Sequence, residues 1–275
     1  VYPDLPAARR LALAVRQGIL RDQGQLARGA LGLGTEFESV RDYLPDDDVR
    51  QINWRATARL ERPMSNQYRL DQDRDVVCLV DSGRLMAAPL ADRTRLDAAL
   101  DAVAAVALVA DQVGDRCGAV AFDSELRRRL APRRRGGAAV VDALFDLEPR
   151  PLDSDYELAF RTVGRGKRSL VLVLTDLVEE GAARPLLEAV PVLARRHALV
   201  VAGVADSDLL GLLRSPPSAP LDVYAASVAV EVLEARTAVA HQLRRAGAEV
   251  VEAAPGRLGA ACVAAYLKMK GRARL

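Results

Sequence analysis

Two aspartates stand directly after strongly apolar runs and are the residues of this sequence best placed to do chemistry. Asp81 ends the run VVCLV, and Asp176 follows LVLVLT. In an open parallel sheet, ligands bind outside the carboxyl ends of the strands, so two such residues on neighbouring strands predict a site. Each carboxylate could ligate a metal ion or act on a substrate. The alternative, which stays open here, is that each one caps a helix or accepts hydrogen bonds from loop amides.

The composition excludes several other kinds of site. The chain has 275 residues, half of them hydrophobic, and a formal charge of +2, so no global field favours a nucleic acid or a membrane. With only two histidines, a histidine-rich metal site is excluded. The three cysteines lie far apart without metal-binding spacing, which predicts buried, reduced thiols in an intracellular protein. No apolar stretch spans a bilayer, and because the chain begins with Val we expect a piece of a longer protein.

From residue 76 onward, short strand-like runs alternate with longer helical patterns, and these elements must position the two aspartates. The alternation predicts an α/β domain with a mostly parallel six-stranded sheet and helices on both faces. The predicted strands are 76–80, 118–122, 125–130, 170–174, 199–202 and 249–252. Only Asp123 and Ser124 separate the second and third runs, so this pair is predicted to be an antiparallel hairpin at a sheet edge.

Residues 1–75 have poor periodicity and predict an irregular segment that packs against the main domain, 76–275. The segment contains Phe37, Tyr43, Ile52 and Trp54. We expect these apolar side chains to be buried on the α/β domain, with Trp54 as a core anchor, because the segment is too poor in periodic apolar residues to fold alone. The acidic triplet 46–48 is interpreted as a turn before a capped helix, with metal binding as the alternative.

The α/β part resembles a von Willebrand factor A domain, whose fold is Rossmann-like. The family's metal-ion-dependent adhesion site uses an Asp-x-Ser-x-Ser motif, a later Thr and an Asp after a buried strand. By this resemblance Asp81, Ser154 and Asp176 would be the metal ligands. The two motif serines fall on Gly83 and Leu85, so the site is degenerate. The expectation is no cofactor, or Mg²⁺ bound weakly, because two hydroxyl ligands are missing.

The segment GTEFESVRDYLPDDDVRQINWRATAR resembles the hallmark of the bacterial family called domain of unknown function 58. The matching positions, which we assign a structural role, are Glu36, Phe37, Arg41, Tyr43, Asp47, Arg50 and Trp54. The family's usual Gly has become Asp46. The resemblance implies a membrane-tethered protein whose soluble part, at the cytoplasmic face, acts with an ATPase of the MoxR-type AAA+ class.

Arginines supply the candidate partner-binding residues. Arg84 lies beside the degenerate site and could offer a cation in place of a metal. Six arginines fall within residues 127–135, and Arg133, Arg134 and Arg135 are predicted to attract an acidic partner. A solvated edge hairpin is the structural alternative for this run.

We therefore expect a non-enzymatic protein–protein interaction module. The competing hypotheses are a metal-dependent phosphoesterase that uses Asp81 and Asp176, and a basic module that binds nucleic acid through the arginine run.

Overall fold

The computed structural model of the protein describes residues 3–16, 36–44, 47, 49–69, 74–90, 93–163, 167–176, 180–214, 216 and 219–271. Within these ranges the α-helices are α1 (Leu5–Arg16), α2 (Trp54–Leu60), α3 (Arg95–Val113), α4 (Gly137–Leu144), α5 (Tyr156–Val163), α6 (Glu180–Ala194), α7 (Ser207–Arg214), α8 (Pro220–Arg245) and α9 (Pro255–Gly271). The strands are β1 (Glu36–Asp42), β2 (Met64–Arg69), β3 (Asp75–Asp81), β4 (Pro89–Leu90), β5 (Arg93–Thr94), β6 (Arg116–Phe122), β7 (Leu126–Arg134), β8 (Ser169–Leu174), β9 (Ala198–Val204) and β10 (Glu249–Ala253).

The central sheet has six strands in the order β10-β9-β8-β3-β6-β7. All neighbours are parallel except β6 and β7, which form an antiparallel hairpin at one edge. This confirms the predicted α/β architecture, including the hairpin and its position. Strand β7 runs four residues further than predicted, to Arg134, with register shifts against β6 that accommodate Pro132 within an edge strand.

Both faces of the sheet are buried, which explains why its strands are nearly continuous apolar runs. Side chains alternate between the two faces. On β3, Val76, Cys78 and Val80 face the core beneath α1, α3, α4 and α9. Val77 and Leu79 face the second core, beneath α5, α6 and α8.

The part of the chain before β3 contains more regular structure than the sequence predicted. Helix α1 packs on α3, and Ala8, Ala12 and Val15 are buried in the main core. Strands β1 and β2 form an antiparallel hairpin that carries α2, whose N-terminus is capped by the Asn53 side chain. Leu5, Ala8, Ala12 and Val15 recur at helical spacing, but α1 was not recognised from the sequence because two of its buried residues are small alanines.

The three cysteines lie in the same core. Cys78 on β3, Cys117 on β6 and Cys262 on α9 are all buried and unbridged. A hydrogen bond with Cys78, together with burial, raises the pKa of the Cys117 thiol well above its ordinary value. Burial raises the pKa of Cys262 to about 12. The Cys117 and Cys262 thiols are therefore protonated, inert packing groups in the folded protein.

Within the described ranges, no helix is both long enough and apolar enough to cross a membrane.

Candidate functional site

Asp81 and Asp176 lie at the same end of adjacent strands, as the sequence predicted. Strands β3 and β8 pair in parallel with Val80 opposite Leu174, so both chains leave the sheet at the same edge. We call this edge, with the residues that follow β3 and β8, the sheet top. Asp81 is 1% exposed and Asp176 is 6% exposed. Neither carboxylate is therefore exposed to solvent. The hydrogen-bond and ion-pair partners of each carboxylate determine whether it can bind a metal ion or a substrate.

The protein itself saturates the Asp81 carboxylate with hydrogen bonds. Its Oδ1 accepts from the backbone amide of Gly83 at 2.8 Å and from the hydroxyl of Ser154 at 2.5 Å. Its Oδ2 accepts from the hydroxyls of Tyr156 at 3.1 Å and Thr175 at 2.7 Å. The Tyr156 and Thr175 hydroxyl oxygens lie 2.7 Å from each other. The structure thus brings Ser154 to Asp81, and it adds two hydroxyls that the sequence analysis did not select.

Burial raises the pKa of Tyr156 well above its ordinary value, and the nearby Asp81 carboxylate adds to the effect. The phenol is therefore a neutral hydrogen-bond donor at physiological pH. A buried tyrosine of this kind has no access to a substrate and serves to hold the carboxylate.

Position 83 has no room for a side chain, so it requires glycine. A Cβ at this position would lie 2.2 Å from the Ser154 hydroxyl and 2.7 Å from the carbonyl oxygen of Leu152. The Ser154 hydroxyl therefore occupies the space that a side chain at position 83 would need. The amide of Arg84 donates to the same Leu152 carbonyl at 2.8 Å, which fixes the loop after β3 against the loop that carries Ser154.

Asp176 is neutralised by two buried arginines. Its Oδ1 lies 3.1 Å from Nη1 of Arg95 and 2.8 Å from Nη2 of Arg236. Arg95 also binds Asp206, with 2.7 Å between Nη2 and Oδ2. All four side chains are at least four-fifths buried, and the two positive charges match the two negative ones. Arg84 was predicted to be the competing cation, but Arg95 and Arg236 are the cations that pair with Asp176.

The two arginines come from distant helices. Arg95 lies in the first turn of α3, where a capping box between Thr94 and Asp97 fixes the helix start. Arg236 lies on the face of α8 that packs on the sheet. Both guanidinium groups also donate to the carbonyl oxygen of Val204, at the end of β9. The cluster therefore joins the ends of β8 and β9 to α3 and α8.

The site does not fit the divalent metal that the sequence resemblance to a von Willebrand factor A domain led us to consider. Both Asp81 oxygens already accept two hydrogen bonds, and Asp176 faces two guanidinium groups. Positions 83 and 85 offer no hydroxyl. Across the ranges described above, no three His, Cys, Asp or Glu side chains form a group that could hold a metal ion. A cation here would have to displace two buried arginines.

The cavity that described residues line at the sheet top is too small for a substrate. The cavity that touches Arg95, Thr175 and Asp176 has a volume of about 10 Å³, which is room for one water molecule. A larger cavity of about 600 Å³ lies between α5 and α6 and reaches His197, just before β9. Since His197 precedes the strand whose far end approaches Asp176, this cavity opens toward the opposite end of the sheet.

The candidate partner-binding arginines lie elsewhere and are exposed. Arg84 pairs with Asp153 at 2.5 Å, and both side chains are more than half exposed. Arg133, Arg134 and Arg135 are exposed at the end of β7, which is one of the two edge strands of the described sheet. The structure therefore does not bring Arg84 onto the acidic pair.

The β1–β2 hairpin places the remaining selected residues. Arg41 and Asp47 form a bidentate ion pair, with Nη1–Oδ2 of 2.7 Å and Nη2–Oδ1 of 2.6 Å. The amide of Leu44 and the hydroxyl of Tyr43 donate to Asp47, which closes the turn. The side chains of Glu36, Phe37 and Arg50, as well as Asp46 and Asp48, lie outside the described residues.

Trp54 corrects an expectation, because its side chain is not a core anchor. The residue is 70% exposed. It is the first residue of α2, and the helix turns Ala56 and Thr57 toward the hairpin instead. Sequence reasoning assigned the only tryptophan to a core because of its size, and nothing in the local pattern shows which face of a seven-residue helix is covered.

Comparison with known proteins gives one family match and several uncharacterised relatives. Residues 39–214, well over half of the chain, match the family described as "Protein of unknown function DUF58". The uncharacterised protein Rv1480 of Mycobacterium tuberculosis is 27% identical over 216 residues, which cover 74% of this chain and 66% of that protein. Mb1516 of Mycobacterium bovis matches equally well. The chain thus spans slightly less than two thirds of the length of these relatives.

Among solved structures, the chain is similar to two von Willebrand A-type proteins. The SpRpn10 VWA domain is 14% identical with a TM-score of 0.44, over 70% of this chain and 93% of that one. Proximal thread matrix protein 1 from the mussel byssus, with a zinc-occupied MIDAS motif, is 12% identical with a TM-score of 0.45, over 72% of this chain and 46% of that one. At these scores neither likeness says anything about what this chain binds.

Proposed function

Because the chain belongs to the DUF58 family, whose biochemical role is undefined, we propose its function from its own geometry: a non-enzymatic protein-interaction module that works without a metal ion. The observation that carries the proposal is the internal neutralisation of the sheet top. Asp81 is saturated by four donors of the protein, and Asp176 by two arginines. A phosphoesterase would need these carboxylates to bind a metal or a substrate, and both are committed to structural contacts.

The partner proposed for this module is an acidic protein, attracted by the arginine edge strand β7. Arg127 and Arg128 are paired with Asp123 and Asp146. For Arg129 and Arg133, which are exposed, the described part of the chain provides no acidic partner. Uncompensated positive charge on an exposed edge accelerates encounter with an acidic surface and contributes less to the lifetime of the complex.

Arg84 has a smaller part in this proposal. Its ion pair with Asp153 is exposed on both sides, and exposed pairs contribute only about 0–1 kcal/mol. A carboxylate of the partner can therefore replace Asp153 at little cost. A guanidinium can hold that carboxylate through two hydrogen bonds without any metal.

The finer proposal is that the partner is a MoxR-type AAA+ ATPase, and that the full-length protein presents this module at the cytoplasmic face of a membrane. The resemblance to the bacterial family supports this assignment, and the arginine edge supports an acidic partner. Binding of nucleic acid is the alternative that the arginines allow, although no aromatic side chains alternate with them for base stacking.

Surface plasmon resonance between the full-length protein and the purified MoxR-type ATPase of the same cell tests the proposal. We expect binding that persists in EDTA, provided light scattering shows that the chelator leaves the ATPase assembly intact. Charge reversal of Arg133, Arg134 and Arg135 should slow association and flatten its salt dependence. The control is charge reversal of Arg9 and Arg10, which are exposed on α1, and it is compared with reversal of Arg133 and Arg134 alone, which changes the charge equally.

Two results contradict the proposal. Absence of binding to the ATPase removes the proposed partner, and loss of binding in EDTA with the ATPase intact removes the metal-free mechanism. Binding of any DNA duplex with the steep salt dependence of phosphate contacts would instead favour the nucleic-acid alternative.

A further inference from the structure

Helix α2 presents one continuous outward face that contains an exposed indole and two arginines. Residues 54, 55, 58 and 59 are all exposed, whereas Ala56 and Thr57 are half-buried. At 100° per residue, positions i, i+1, i+4 and i+5 fall on one side of a helix. We call this surface, made by Trp54, Arg55, Ala58 and Arg59, the α2 face.

The helix is held firmly from its opposite side, so the α2 face is a presented surface and not a frayed segment. Asn53 caps the helix by accepting from the amide of Ala56 at 2.9 Å, and its amide group donates to Asn66 on β2 at 2.7 Å. The hydroxyl of Thr57 accepts from the amide of Met64 at 3.0 Å. Glu61 ends the helix in a left-handed conformation, with φ of 55°.

The composition of this face is that of an interface centre. Trp54 is 70% exposed, and leaving an indole in water forgoes one of the largest burial energies available to any side chain. Tryptophan and arginine are enriched among residues whose truncation costs most at protein interfaces, because they combine a large contact area with directed hydrogen bonds. Ala58, between them on the helix face, leaves room for a partner group to approach.

The charge of the α2 face indicates what kind of partner it can bind. Arg55 and Arg59 are exposed, and neither forms an ion pair with an acidic residue in the described part of the chain. The neighbouring arginines Arg41 and Arg62 are instead paired, with Asp47 and Asp42. The α2 face is therefore locally positive, and its complement is a surface with carboxylates around an apolar pocket.

From this geometry we infer that the α2 face is the docking surface for an acidic protein partner, whose apolar pocket receives the Trp54 indole while its carboxylates bind Arg55 and Arg59. The inference rests on the proposed function, because it names the surface through which that module binds. In this arrangement the contacts of the α2 face determine how slowly the complex dissociates, whereas the arginines of β7 provide the long-range attraction that speeds association.

The single tryptophan makes a direct test possible. The 275-residue chain is labelled with 5-fluorotryptophan, and the ¹⁹F signal of position 54 is followed while the MoxR-type ATPase is added. We expect the signal to shift and to lose its sensitivity to solvent as the indole enters the pocket. Trp54→Ala, and separately the pair Arg55→Glu and Arg59→Glu, should each weaken binding roughly tenfold or more, mainly through faster dissociation.

Matched controls separate this outcome from a loss of folding or of general positive charge. The pair Arg9→Glu and Arg10→Glu changes the charge equally on another exposed helix, α1, and should leave the affinity within about twofold. Circular dichroism and urea unfolding should show all variants folded. Wild-type affinity in the Trp54→Ala variant, or an unchanged ¹⁹F signal in the saturated complex, would overturn the inference and leave the proposed function standing.

A second measurement decides the case in which the ATPase does not bind. A photo-crosslinking amino acid is placed in cells at position 58 of the α2 face, which keeps the Trp54 indole, with Phe145, an exposed aromatic residue after α4, as the control position. A crosslink from position 58 alone to one acidic protein, abolished by reversing Arg55 and Arg59, supports the α2 face and replaces the proposed partner. Equal or absent crosslinking at the two positions contradicts the inference.

Discussion

Asp81 and Asp176 are both removed from water at the sheet top, but different groups stabilise them. Asp81 accepts hydrogen bonds from neutral groups only, whereas Asp176 faces two full positive charges. A buried carboxylate is tolerated only when it is hydrogen-bonded or paired. Each arrangement satisfies this condition from within the chain, so the two residues that a metal would need have become structural.

Replacing Gly83 by serine should therefore destabilise the protein without creating a metal site. The new Cβ would lie within 3 Å of both Ser154 and the Leu152 carbonyl, and relief of that overlap should cost roughly 1–3 kcal/mol. Urea unfolding measures the loss, and calorimetry with Mg²⁺ should show no binding. Gly256→Ser is the control, because a Cβ there meets nothing within 4 Å. Tight Mg²⁺ binding by Gly83→Ser would contradict this account.

Asp176→Asn should be among the most damaging single substitutions. It leaves Arg95 and Arg236 buried with only Asp206 between them, and breaking a buried ion cluster typically costs about 3–5 kcal/mol. Arg161→Gln, which breaks an exposed pair with Glu157, should cost at most about 0.5 kcal/mol. The comparison is made by denaturant unfolding; similar losses for the two variants would show that the cluster is not stabilising.

The sequence was sufficient to place the two aspartates but not their partners. A run such as LVLVLTD shows both the strand and the residue that leaves it. Arg95 and Arg236, however, are ordinary helix arginines in sequence, 81 and 60 positions from Asp176. Which helix face turns inward depends on how α3 and α8 pack on the sheet, and that is a property of the assembled fold. The charge neutralisation was for this reason not predictable.

At the scale of elements, the described side-chain contacts that hold the β1–β2 hairpin and α2 are mostly polar. The bidentate Arg41–Asp47 pair and the Asn53 cap fix the turn and the helix start. The exposed Trp54 contributes little to this arrangement. This region has few periodic apolar residues, and its secondary structure was for that reason not predicted from the sequence. The same feature allows it to expose large side chains.

The turn of this hairpin should weaken in acid. The hydrogen-bonded Arg41 guanidinium lowers the pKa of the Asp47 carboxyl, with the Leu44 amide contributing. A lowered carboxyl pKa stabilises the folded state above the unfolded-state value of about 3.9, and this contribution disappears as the pH falls through the lower folded value. Amide exchange of Leu44 should therefore accelerate below that range relative to helix amides. In Asp47→Asn the extra pH dependence should be absent; its persistence would assign it to another group.

At the scale of the whole molecule, helix α1 joins the N-terminal part of the chain to the α/β domain. Its buried residues lie on α3, and the amide of Asp4 donates to Asp101 of that helix at 2.7 Å. The division of the chain at residue 75 remains a prediction, but the attachment of α1 is a feature of the fold. It depends on small side chains that let the two helices approach closely.

Ala12→Asp should detach α1, because Ala12 is 5% exposed and a charge cannot be buried there without a partner. The cost should reach roughly 2–4 kcal/mol, about the burial energy of the α1 face, since the helix can leave without unfolding the sheet. Leu13→Asp changes the next residue, which is 51% exposed, and should be nearly neutral. Urea unfolding compares the two. Equal stability would show that α1 does not contribute to the fold.

Because Cys78, Cys117 and Cys262 are buried, the rate at which they are alkylated measures how often the main core opens. All three thiols are shielded, and the raised pKa values of Cys117 and Cys262 keep them protonated. Alkylation by iodoacetamide, which requires an accessible thiolate, should therefore proceed only as often as the core opens. We expect all three thiols to react at the same rate, faster in Asp176→Asn and unchanged in Trp54→Ala. That result would show that the main core opens in a single cooperative event. Rapid alkylation of one cysteine alone would instead indicate local unfolding next to that residue.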